Sequence, residues 1–279
     1  TLAGSDALDS YKAALESVAY NNTSDTPNTS NRTISWVVND GDTSSSAVTS
    51  TITITAVNDA PVLTTPTAGT ITETPGSSDT STSDLSGTLS ASDADGDTLT
   101  YGITGGTVGS GTSTLAGTYG SLAVNTTTGA YNYTPTSAAV EALCAGAVTD
   151  PFSVTASDGT ATTTSTYTVN ITGADDSAVI SGDVSGTGAE DTSAITGTLS
   201  ATDVEGLADN TYFTVSTTPS QGTASIDAAS GDWSYTPTAN FNGSDSVTVT
   251  ITDDCGGTTT QAIALTITAV ADPAVITGD

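Results

Sequence analysis

The sequence has almost no basic side chains. Its 279 residues include no histidine and only two lysines or arginines, against 31 aspartates and glutamates, so the formal net charge is -29 at pH 7. Such a chain repels a phosphate backbone from every face, which excludes DNA and RNA as partners. Because the acids have no basic groups to pair with, bound divalent cations are the simplest agents that could neutralise them.

The absence of histidine also removes the side chain that most often serves as a general base. Neither Cys144 nor Cys255 has a basic neighbour in the sequence that would activate its thiol. Pairs of carboxylates could act as the acid and base of a glycosidase, but here they recur in repeated turns rather than in one cleft. The sequence therefore predicts that this segment is not an enzyme.

No run of about 18 apolar residues is present, so membrane insertion of this segment is not expected, and Thr1 does not begin a signal peptide. Aromatic residues are scarce, at 5%, but the chain is 35% hydrophobic, and its β-branched residues alternate with polar ones. This period of two predicts folded strands and separates the chain from a disordered acidic tail.

Recurring aspartates divide the sequence into modules. Three of them mark hinges, and each lies 18 or 19 residues after another aspartate, in the pairs Asp40 and Asp59, Asp158 and Asp176, and Asp253 and Asp272. We interpret residues 1–58 as the second half of a module, 59–174 and 175–269 as complete modules, and 270–279 as the start of a further one. On this basis we expect the chain to be a window from a longer protein.

Short alternating runs bounded by Gly, Asn, Asp and Pro predict an all-β fold of tandem immunoglobulin-like sandwiches. One short amphipathic helix is predicted near the N-terminus, at about 6–18, with Asp6 as its N-cap and an apolar stripe that includes Leu15 and Val18. Strands are predicted at 62–73, 86–92, 97–103, 119–125, 129–135, 150–157 and 165–172 in the middle module, and at 196–202, 211–216, 221–227, 231–237, 245–252 and 261–268 in the next.

Several of these runs together carry a family resemblance. They are GTLSASDADGDTLTY (87–101), YGSLAVNTTTGAYNYTP (119–135), FNGSDSVTVTITD (241–253) and TITAVNDAP (53–61). The combination resembles the cadherin-like and VCBS-type tandem repeats of large bacterial RTX-type surface adhesins, and the helix-containing opening segment resembles a variant of the same repeats. The resemblance implies cadherin-like sandwiches in an extracellular or cell-surface segment that calcium stiffens.

The up-and-down order of strands predicts that the loop between the second and third strands of each module, and the turn between its last two strands, lie beside the incoming hinge. Calcium takes 6 to 8 oxygen ligands in flexible geometry, whereas magnesium demands tighter octahedral geometry and is the lesser option. In the cadherin-type pattern, an Asp-x-Asp loop, a linker Asn-Asp and a Glu of the preceding domain hold the ion. Carried over to this chain, the first junction would use Asn58, Asp59, Asp93, Asp95, Asp97 and Asp158.

The second junction would use Asp175, Asp176, Asp203, Glu205 and Asp253, with Glu73 as an additional candidate, and Glu190 with Asp272 would serve a third junction. Leu207 replaces the aspartate found at Asp97, so we expect the first junction to be the better calcium site. An acidic surface turn without metal is the alternative for the loop at 93–97. Asp40 and Asp42 are candidates only with the missing half-module, and an ordinary turn is favoured for Asn240, Asn242 and Asp245.

The two cysteines belong to different modules but face the same junction. Cys144 follows the fifth strand of the middle module, at its bottom, and Cys255 lies in the turn between the last two strands of the next module, at its top. We hypothesise a disulfide between the modules, which an extracellular location would permit. The alternative is two unpaired or intermolecular cysteines.

The sequence thus predicts a calcium-rigidified extender of a secreted or cell-surface bacterial adhesin, with a mechanical role and with neighbouring repeats as its partners. The first alternative is a subunit of a self-assembling extracellular filament or surface layer, in which other copies of the chain are partners. The second is a carbohydrate-binding module, which would need an exposed aromatic platform. Trp36 and Trp233 are expected in the core instead.

Overall fold

The computed structural model describes residues 7–76, 85–209 and 211–272, and it confirms the all-β class with tandem sandwiches. The N-terminal part consists of helix α1 (Leu8–Glu16) and an antiparallel hairpin of β1 (Arg32–Trp36) and β2 (Val48–Ile52). The helix is shorter than predicted and Ala7 occupies its N-cap position, while the predicted cap Asp6 lies outside the described residues. Within the described ranges, no helix is both apolar enough and long enough to span a bilayer.

The apolar stripe of helix α1 and the ring of Trp36 in the N-terminal part are more exposed than core residues are. Leu15 and Val18 on the helix stripe are 43% and 54% exposed. Trp36, which the sequence placed in a core, is only half-buried and donates its Nε1–H to Ser50 Oγ at 2.9 Å. That expectation was wrong because the two-stranded hairpin has no second sheet among the described residues to cover the ring.

The middle module is a sandwich of two main sheets. One has the strand order β5-β11-β10-β9-β8 and the other β4-β13-β12-β7, while β3 pairs with β6 at the entry. The strands are β3 (Val62–Leu63), β4 (Gly69–Thr72), β5 (Leu85–Thr88), β6 (Ala91–Ser92), β7 (Thr100–Ile103), β8 (Thr107–Gly109), β9 (Thr112–Ala116), β10 (Gly120–Asn125), β11 (Ala130–Pro135), β12 (Gly146–Ser157) and β13 (Thr162–Gly173).

The next module, called the third module here, has the orders β14-β16-β19-β18 and β15-β21-β20-β17. Its strands are β14 (Val179–Gly182), β15 (Ser185–Ala189), β16 (Ile195–Thr202), β17 (Phe213–Thr217), β18 (Gly222–Ile226), β19 (Asp232–Pro237), β20 (Gly243–Thr252) and β21 (Thr258–Thr268). The two modules therefore share one plan, and the long hairpins β12–β13 and β20–β21 form the spine of each.

The first strand of each module is split between the two sheets. In the middle module β3 pairs antiparallel with β6, and the chain then crosses over so that β4 runs parallel to β13, with Ile71 opposite Ile171. Pro66, which has no N–H to donate, lies in the break. The third module repeats the crossing, with β14 against β16 and β15 parallel to β21. The prediction of one continuous strand at 62–73 was wrong, because the two halves of this segment pair in different sheets.

One helix and several strands were not predicted, among them β14 and β15 of the third module. The connection between β11 and β12 contains a second helix, α2 (Ser137–Glu141), although the sequence predicted only one helix. Strands β8 and β9 form a hairpin that closes through Ser110 and Gly111, both with positive φ. Five helical residues are too few to show a helical period, and the hairpin tip is too rich in glycine to show alternation.

Alternating side chains of the paired sheets form one core in each module. In β12 the residues Phe152, Val154 and Ala156 are buried while their neighbours face solvent or are only partly covered, as the period of a strand requires. Phe152 packs edge-on against Tyr133 with ring centroids 5.8 Å apart. Each fully buried large side chain contributes about 1.5–3 kcal/mol of hydrophobic stabilisation. Trp233, as predicted, is in the core of the third module, where it is 3% exposed.

Each module also contains an internal aspartate that a tyrosine hydroxyl binds. Asp150 is buried and accepts hydrogen bonds from Tyr133 Oη at 2.9 Å, the Thr118 amide at 3.0 Å and the Tyr119 amide at 3.1 Å. In the third module Asp245 accepts equivalent bonds, from Tyr235 Oη at 3.0 Å and the Gln221 amide at 2.8 Å. The carboxylate of Asp245 thus serves the sandwich, although Asp245 lies in strand β20 and not in the ordinary turn that was predicted.

Candidate functional site

The incoming linker at Asn58 and Asp59 is held by hydrogen bonds to two loops of the middle module, and we call this contact the first junction. The Asp59 amide donates to Asp95 Oδ2 at 2.7 Å, and Asn58 Nδ2 donates to Asp158 Oδ2 at 2.9 Å. The loop of Asp95 follows β6, and Asp158 begins the turn between β12 and β13. The structure therefore brings together residues that lie 36 and 100 positions apart.

The loop between β6 and β7 folds around Asp93. Its Oδ1 accepts from the amides of Asp95 at 3.0 Å and Asp97 at 3.3 Å, and Gly96 adopts the left-handed conformation that the turn requires, with φ +77°. Each of Asp93, Asp95 and Asp97 places one carboxylate oxygen within 4.8 Å of the others. The second oxygen of Asp93 is buried and has no hydrogen-bond partner.

The turn at Asp158 is stabilised as an anion. The pKa of Asp158 is lowered, first by the amide of Ala161 and then by the side chain of Asn58 and the amide of Thr160. At this junction, therefore, an amide side chain in the linker satisfies one carboxylate oxygen without any ion.

The linker between the middle and third modules, residues 174–176, meets loops in the same way, and we call this contact the second junction. The Asp176 amide donates to Glu205 Oε1 at 3.1 Å, and the Glu205 amide donates to Asp203 Oδ1 at 3.1 Å. Asp253 Oδ1 accepts from the amides of Cys255 at 3.1 Å and Gly257 at 2.7 Å in the turn between β20 and β21. Glu205 therefore takes the position of Asp95 with its contact intact.

The second junction differs from the first at one linker position, where Asp175 replaces Asn58. A Cβ placed on Gly257 would lie 2.5 Å from Oδ2 of both Asp175 and Asp253, so the glycine leaves the room that these carboxylates occupy. Burial raises the pKa of Asp175, and repulsion from Asp253, Asp203 and Asp176 raises it further. Where Asn58 donates a hydrogen bond to Asp158 at the first junction, Asp175 and Asp253 repel each other at the second.

Two glutamates of the middle module complete the second junction. Glu73 follows β4 and accepts the Ala174 amide on Oε2 at 2.8 Å, while Glu141 ends helix α2. Glu73, Glu141 and Asp176 each place an oxygen within 4.8 Å of the others. The Gly76 amide donates to Asp176 Oδ1, and Glu73 and Asp176 are each only 7% exposed. Burial raises the pKa of Glu73, and the negative charges of Glu141 and Asp176 add to the shift, although the Ala174 amide opposes it.

The second junction concentrates buried carboxylate oxygens that have no hydrogen-bond partner. Buried polar atoms in proteins are almost always bonded, so a group of unbonded oxygens marks a place for a ligand or a proton. Burial raises the pKa of Glu205 to about 7, and neighbouring Asp203 contributes. No Lys, Arg or His occurs after Arg32 to neutralise these charges. The unbonded oxygens are Glu73 Oε1, Asp175 Oδ1, Asp203 Oδ2 and Glu205 Oε2.

The remaining candidates are less concentrated. Glu190 is buried and accepts the Val270 amide on Oε1 at 2.8 Å, as Glu73 accepts that of Ala174, and Asn242 Nδ2 donates to its Oε2 at 3.3 Å. Asp272 is exposed. In the part of the chain that the structure describes, no third carboxylate comes close enough to Glu190 to share an ion with it. Asp40 Oδ1 accepts amides of its own turn, at Asp42 and Thr43, and no carboxylate group forms there among the described residues.

A disulfide joins the two modules beside the second junction. Cys144 and Cys255 are bonded with their Cα atoms 5.4 Å apart, which confirms the hypothesis of an inter-module bridge. The bond connects the segment after α2 with the turn between β20 and β21. Glu141 lies three residues before one cysteine, and Asp253 two residues before the other.

Glu141 was not predicted from the sequence, and that the first junction is the better calcium site stays a prediction. Glu141 joins Glu73 and Asp176 in one group of carboxylates, and four buried oxygens at the second junction remain unbonded, against one at the first. The one available signal was the position of Glu141 in the same connection as Cys144, which the sequence had already placed at this junction.

Comparison with known proteins gives a family match over most of the chain. A family model described as the bacterial cadherin-like domain matches residues 58–173 and 175–269. No curated protein matches the sequence.

Solved structures similar to this chain include an endo-fucoidan hydrolase from glycoside hydrolase family 107, at 21% identity and a TM-score of 0.28, covering 88% of this chain and 34% of that one. The extracellular cadherin domains 3–6 of protocadherin gamma B2 match at 17% identity and a TM-score of 0.34, covering 81% of this chain and 57% of that one. Mouse clustered PcdhgC3 EC1-3 matches at 15% identity and a TM-score of 0.35, with 86% and 77% covered. The chain thus spans about a third of the hydrolase and little more than half of the gamma B2 fragment.

Proposed function

Because the chain belongs to the bacterial cadherin-like domain family, we propose that it is a non-enzymatic extracellular extender whose modules are held end to end by calcium at their junctions. It would form part of a secreted or cell-surface bacterial adhesin of the RTX type, in which neighbouring repeats are its immediate partners. Its role would be mechanical, to keep consecutive sandwiches in a fixed line.

The observation that carries the proposal is the group of unbonded buried oxygens at the second junction. Leaving one buried acceptor unsatisfied costs about 1–3 kcal/mol, and more when it is charged. Four such oxygens at one junction, with no basic side chain nearby, would be costly in a fold that bound nothing there. A cation that accepts carboxylate oxygens would remove the cost and the repulsion together.

The donor set fits calcium. Carboxylate, amide and main-chain oxygens suit a hard cation, whereas the absence of histidine and the engagement of both cysteines in a disulfide disfavour zinc. Calcium also accepts irregular geometry better than magnesium does. At the second junction the proposed ligands are Glu73, Glu141, Asp175, Asp176, Asp203, Glu205 and Asp253, and at the first they are Asn58, Asp59, Asp93, Asp95, Asp97 and Asp158. Glu190 and Asp272 are proposed for the third.

At the second junction calcium would act by tying the linker to loops on both sides of it. Glu73 and Glu141 belong to the middle module, whereas Asp203, Glu205 and Asp253 belong to the third module, so an ion shared between them would fix the angle at the linker. When the ion is removed, the carboxylates of the two modules would repel each other across the linker and would favour an open, variable angle.

Calcium titration of the metal-free protein by calorimetry, followed by small-angle X-ray scattering, tests the proposal. We expect saturable binding, a higher Tm and a narrower distribution of interatomic distances with calcium. The double variant E73Q/E141Q should bind less calcium. D25N/D209N, which removes the same charge at exposed positions outside the junctions, should bind as the wild type does. Absence of binding, or identical scattering with and without calcium, would contradict the proposal.

A further inference from the structure

The disulfide connects two of the loops that carry the carboxylates of the second junction. Glu141 belongs to the middle module and Asp253 to the third module, and each is separated from its cysteine by at most two residues. The bond is the single covalent link between these modules besides the main chain, because the sequence has no other cysteine. It therefore limits how far the two groups of carboxylates can separate.

This restraint acts against a repulsion that no basic side chain in the junction offsets. Before a cation binds, the carboxylates of the middle module face those of the third module across the linker, and neither module contains a Lys, Arg or His. Without the sulfur bond the charges can separate by opening the linker angle. With the bond, the loops of Glu141 and Asp253 stay together whether or not an ion is present.

We propose that the Cys144–Cys255 disulfide is a positioning device that presets the second junction for its cation, so that divalent-cation affinity there depends on the redox state of the cysteines. The inference rests on the proposed function, because it concerns the regulation of the same site. The binding-competent arrangement is the main population when the bond is closed and a minor one when it is open. Apparent affinity falls in proportion to that population.

The redox step is an ordinary thiol–disulfide exchange. A dithiol reductant such as dithiothreitol gives two electrons and two protons, the sulfur–sulfur bond breaks, Cys144 and Cys255 become thiols, and the dithiol becomes its cyclic disulfide. An extracellular setting keeps the bond closed, whereas a reducing one opens it.

The first junction provides an internal control. All of its carboxylates belong to the linker at Asp59 or to the middle module, and its Asn58 amide donates to Asp158 without any covalent bridge. Its cation affinity should therefore not depend on the cysteines. A general loss of stability on reduction would not produce this difference between the junctions.

The experiment measures calcium affinity at each junction with the disulfide closed and open. The variant D93N/D95N removes ligands of the first junction, so that calcium binding at the second is measured. The variant E73Q/E141Q removes ligands of the second junction, so that binding at the first is measured. Each double variant is titrated with calcium by calorimetry in three forms: oxidised, reduced with dithiothreitol, and carrying the further substitutions C144S and C255S. We expect the apparent Kd of the second junction to rise by about tenfold when the bond is open, as a fall of the competent population to about a tenth would give. The Kd of the first junction should change by less than about twofold, the outcome for a population that does not shift.

A second readout needs no calcium. In small-angle scattering of the metal-free protein, the reduced wild type and C144S/C255S should both show a broader distance distribution than the oxidised protein. Equal affinity at the second junction with the bond open and closed would overturn the inference. So would loss of the strand signal in circular dichroism on reduction, because the modules must stay folded. Absence of calcium binding by the oxidised protein would instead overturn the proposed function.

Discussion

In each sandwich an aspartate accepts a tyrosine hydroxyl, and in the middle module this aspartate, Asp150, is buried. Asp150 accepts two main-chain amides and the hydroxyl of Tyr133 beneath the sheets. Burial raises the pKa of Tyr133, and its hydrogen bond to Asp150 raises it further, so the phenol remains a donor. Gly117 makes room for the carboxylate, because a Cβ there would lie 2.4 Å from both of its oxygens.

Removing the hydroxyl of Tyr133 should therefore destabilise the middle module. We expect Y133F to lower its free energy of unfolding by about 1.5–3 kcal/mol, the range for a hydrogen bond to a charged group. Urea unfolding followed by circular dichroism measures the change. Y131F, which removes a hydroxyl from the same strand outside the Asp150 cluster, is the matched control, and an equal loss in both variants would count against this role.

A second residue-level prediction concerns Glu205. Burial raises its pKa from an ordinary 4.5 to about 7 in the folded protein. A raised pKa in an acid means that the fold favours the protonated form, so the contribution of Glu205 to stability is complete below about pH 4.5 and is lost as pH rises through about 7. In metal-free protein, the Tm of the wild type should fall relative to that of E205Q over this interval.

Thermal unfolding of both proteins at several pH values, without and with calcium, measures the difference. Calcium should abolish the relative loss, since the ionised carboxylate is then neutralised by the ion. Parallel pH profiles of the wild type and E205Q in metal-free buffer would show that Glu205 does not titrate in this range.

Among single residues, those in turns were the ones the sequence could predict. Asp93 and Asp158 were found because Asp and Gly mark turns and the order of strands returns those turns to the hinge. Glu141 and Asp150 could not be found in this way. One lies in a five-residue helix and the other inside a strand, and only the packing of the folded sandwich gives either of them its partners.

At the scale of elements, the two linkers differ in how they treat the neighbouring turn. Asn58 satisfies Asp158 directly, whereas Asp175 adds a further negative charge beside Asp253. The first linker is thus anchored by a hydrogen bond between Asn58 and Asp158. The second linker has no equivalent bond at Asp175, and we propose that a cation holds it.

Substituting Asn58 by Asp and Asp175 by Asn should reverse the difference between the linkers in metal-free stability. N58D should lower the Tm of the metal-free protein by a few degrees, because repulsion replaces a hydrogen bond, and calcium should restore most of the loss. D175N should raise the metal-free Tm and weaken calcium binding at the second junction. Thermal unfolding and calorimetry of both variants test the exchange, and shifts of the same sign in metal-free buffer would contradict it.

The strands themselves were largely predictable, because alternation of apolar and polar residues survives in β10 and β12 without any knowledge of their partners. The split of the first strand was not, since 62–73 reads as one extended segment, and only the twist and closure of the sandwich decide which sheet each half joins. The disulfide was predictable because both cysteines lie in connections that the strand order places at one junction.

At the scale of the whole molecule, the charge of -29 makes stability depend on the ions around the chain. The Debye length falls from about 30 Å at 0.01 M salt to about 3 Å at 1 M, so monovalent salt screens repulsion between modules as well as within junctions. We expect the Tm of the metal-free protein to rise as NaCl is increased over this range, and the Tm of the calcium-bound protein to rise less. Calorimetric scans at several salt concentrations test this, and equal rises in both states would argue against electrostatic opening.

The parallel pairing of first and last strands decides how a module responds to being pulled. The chain enters the middle module ahead of β4 and leaves after β13, and these strands run side by side in the same direction. Tension between the two ends therefore draws the strands past each other along their length, and all the hydrogen bonds between them are loaded in shear at once. Strands β15 and β21 of the third module pair in the same parallel way, so the chain contains two such strand pairs in series. We therefore expect such a segment to resist stretching until all the hydrogen bonds between one such strand pair break together, rather than to open one bond at a time.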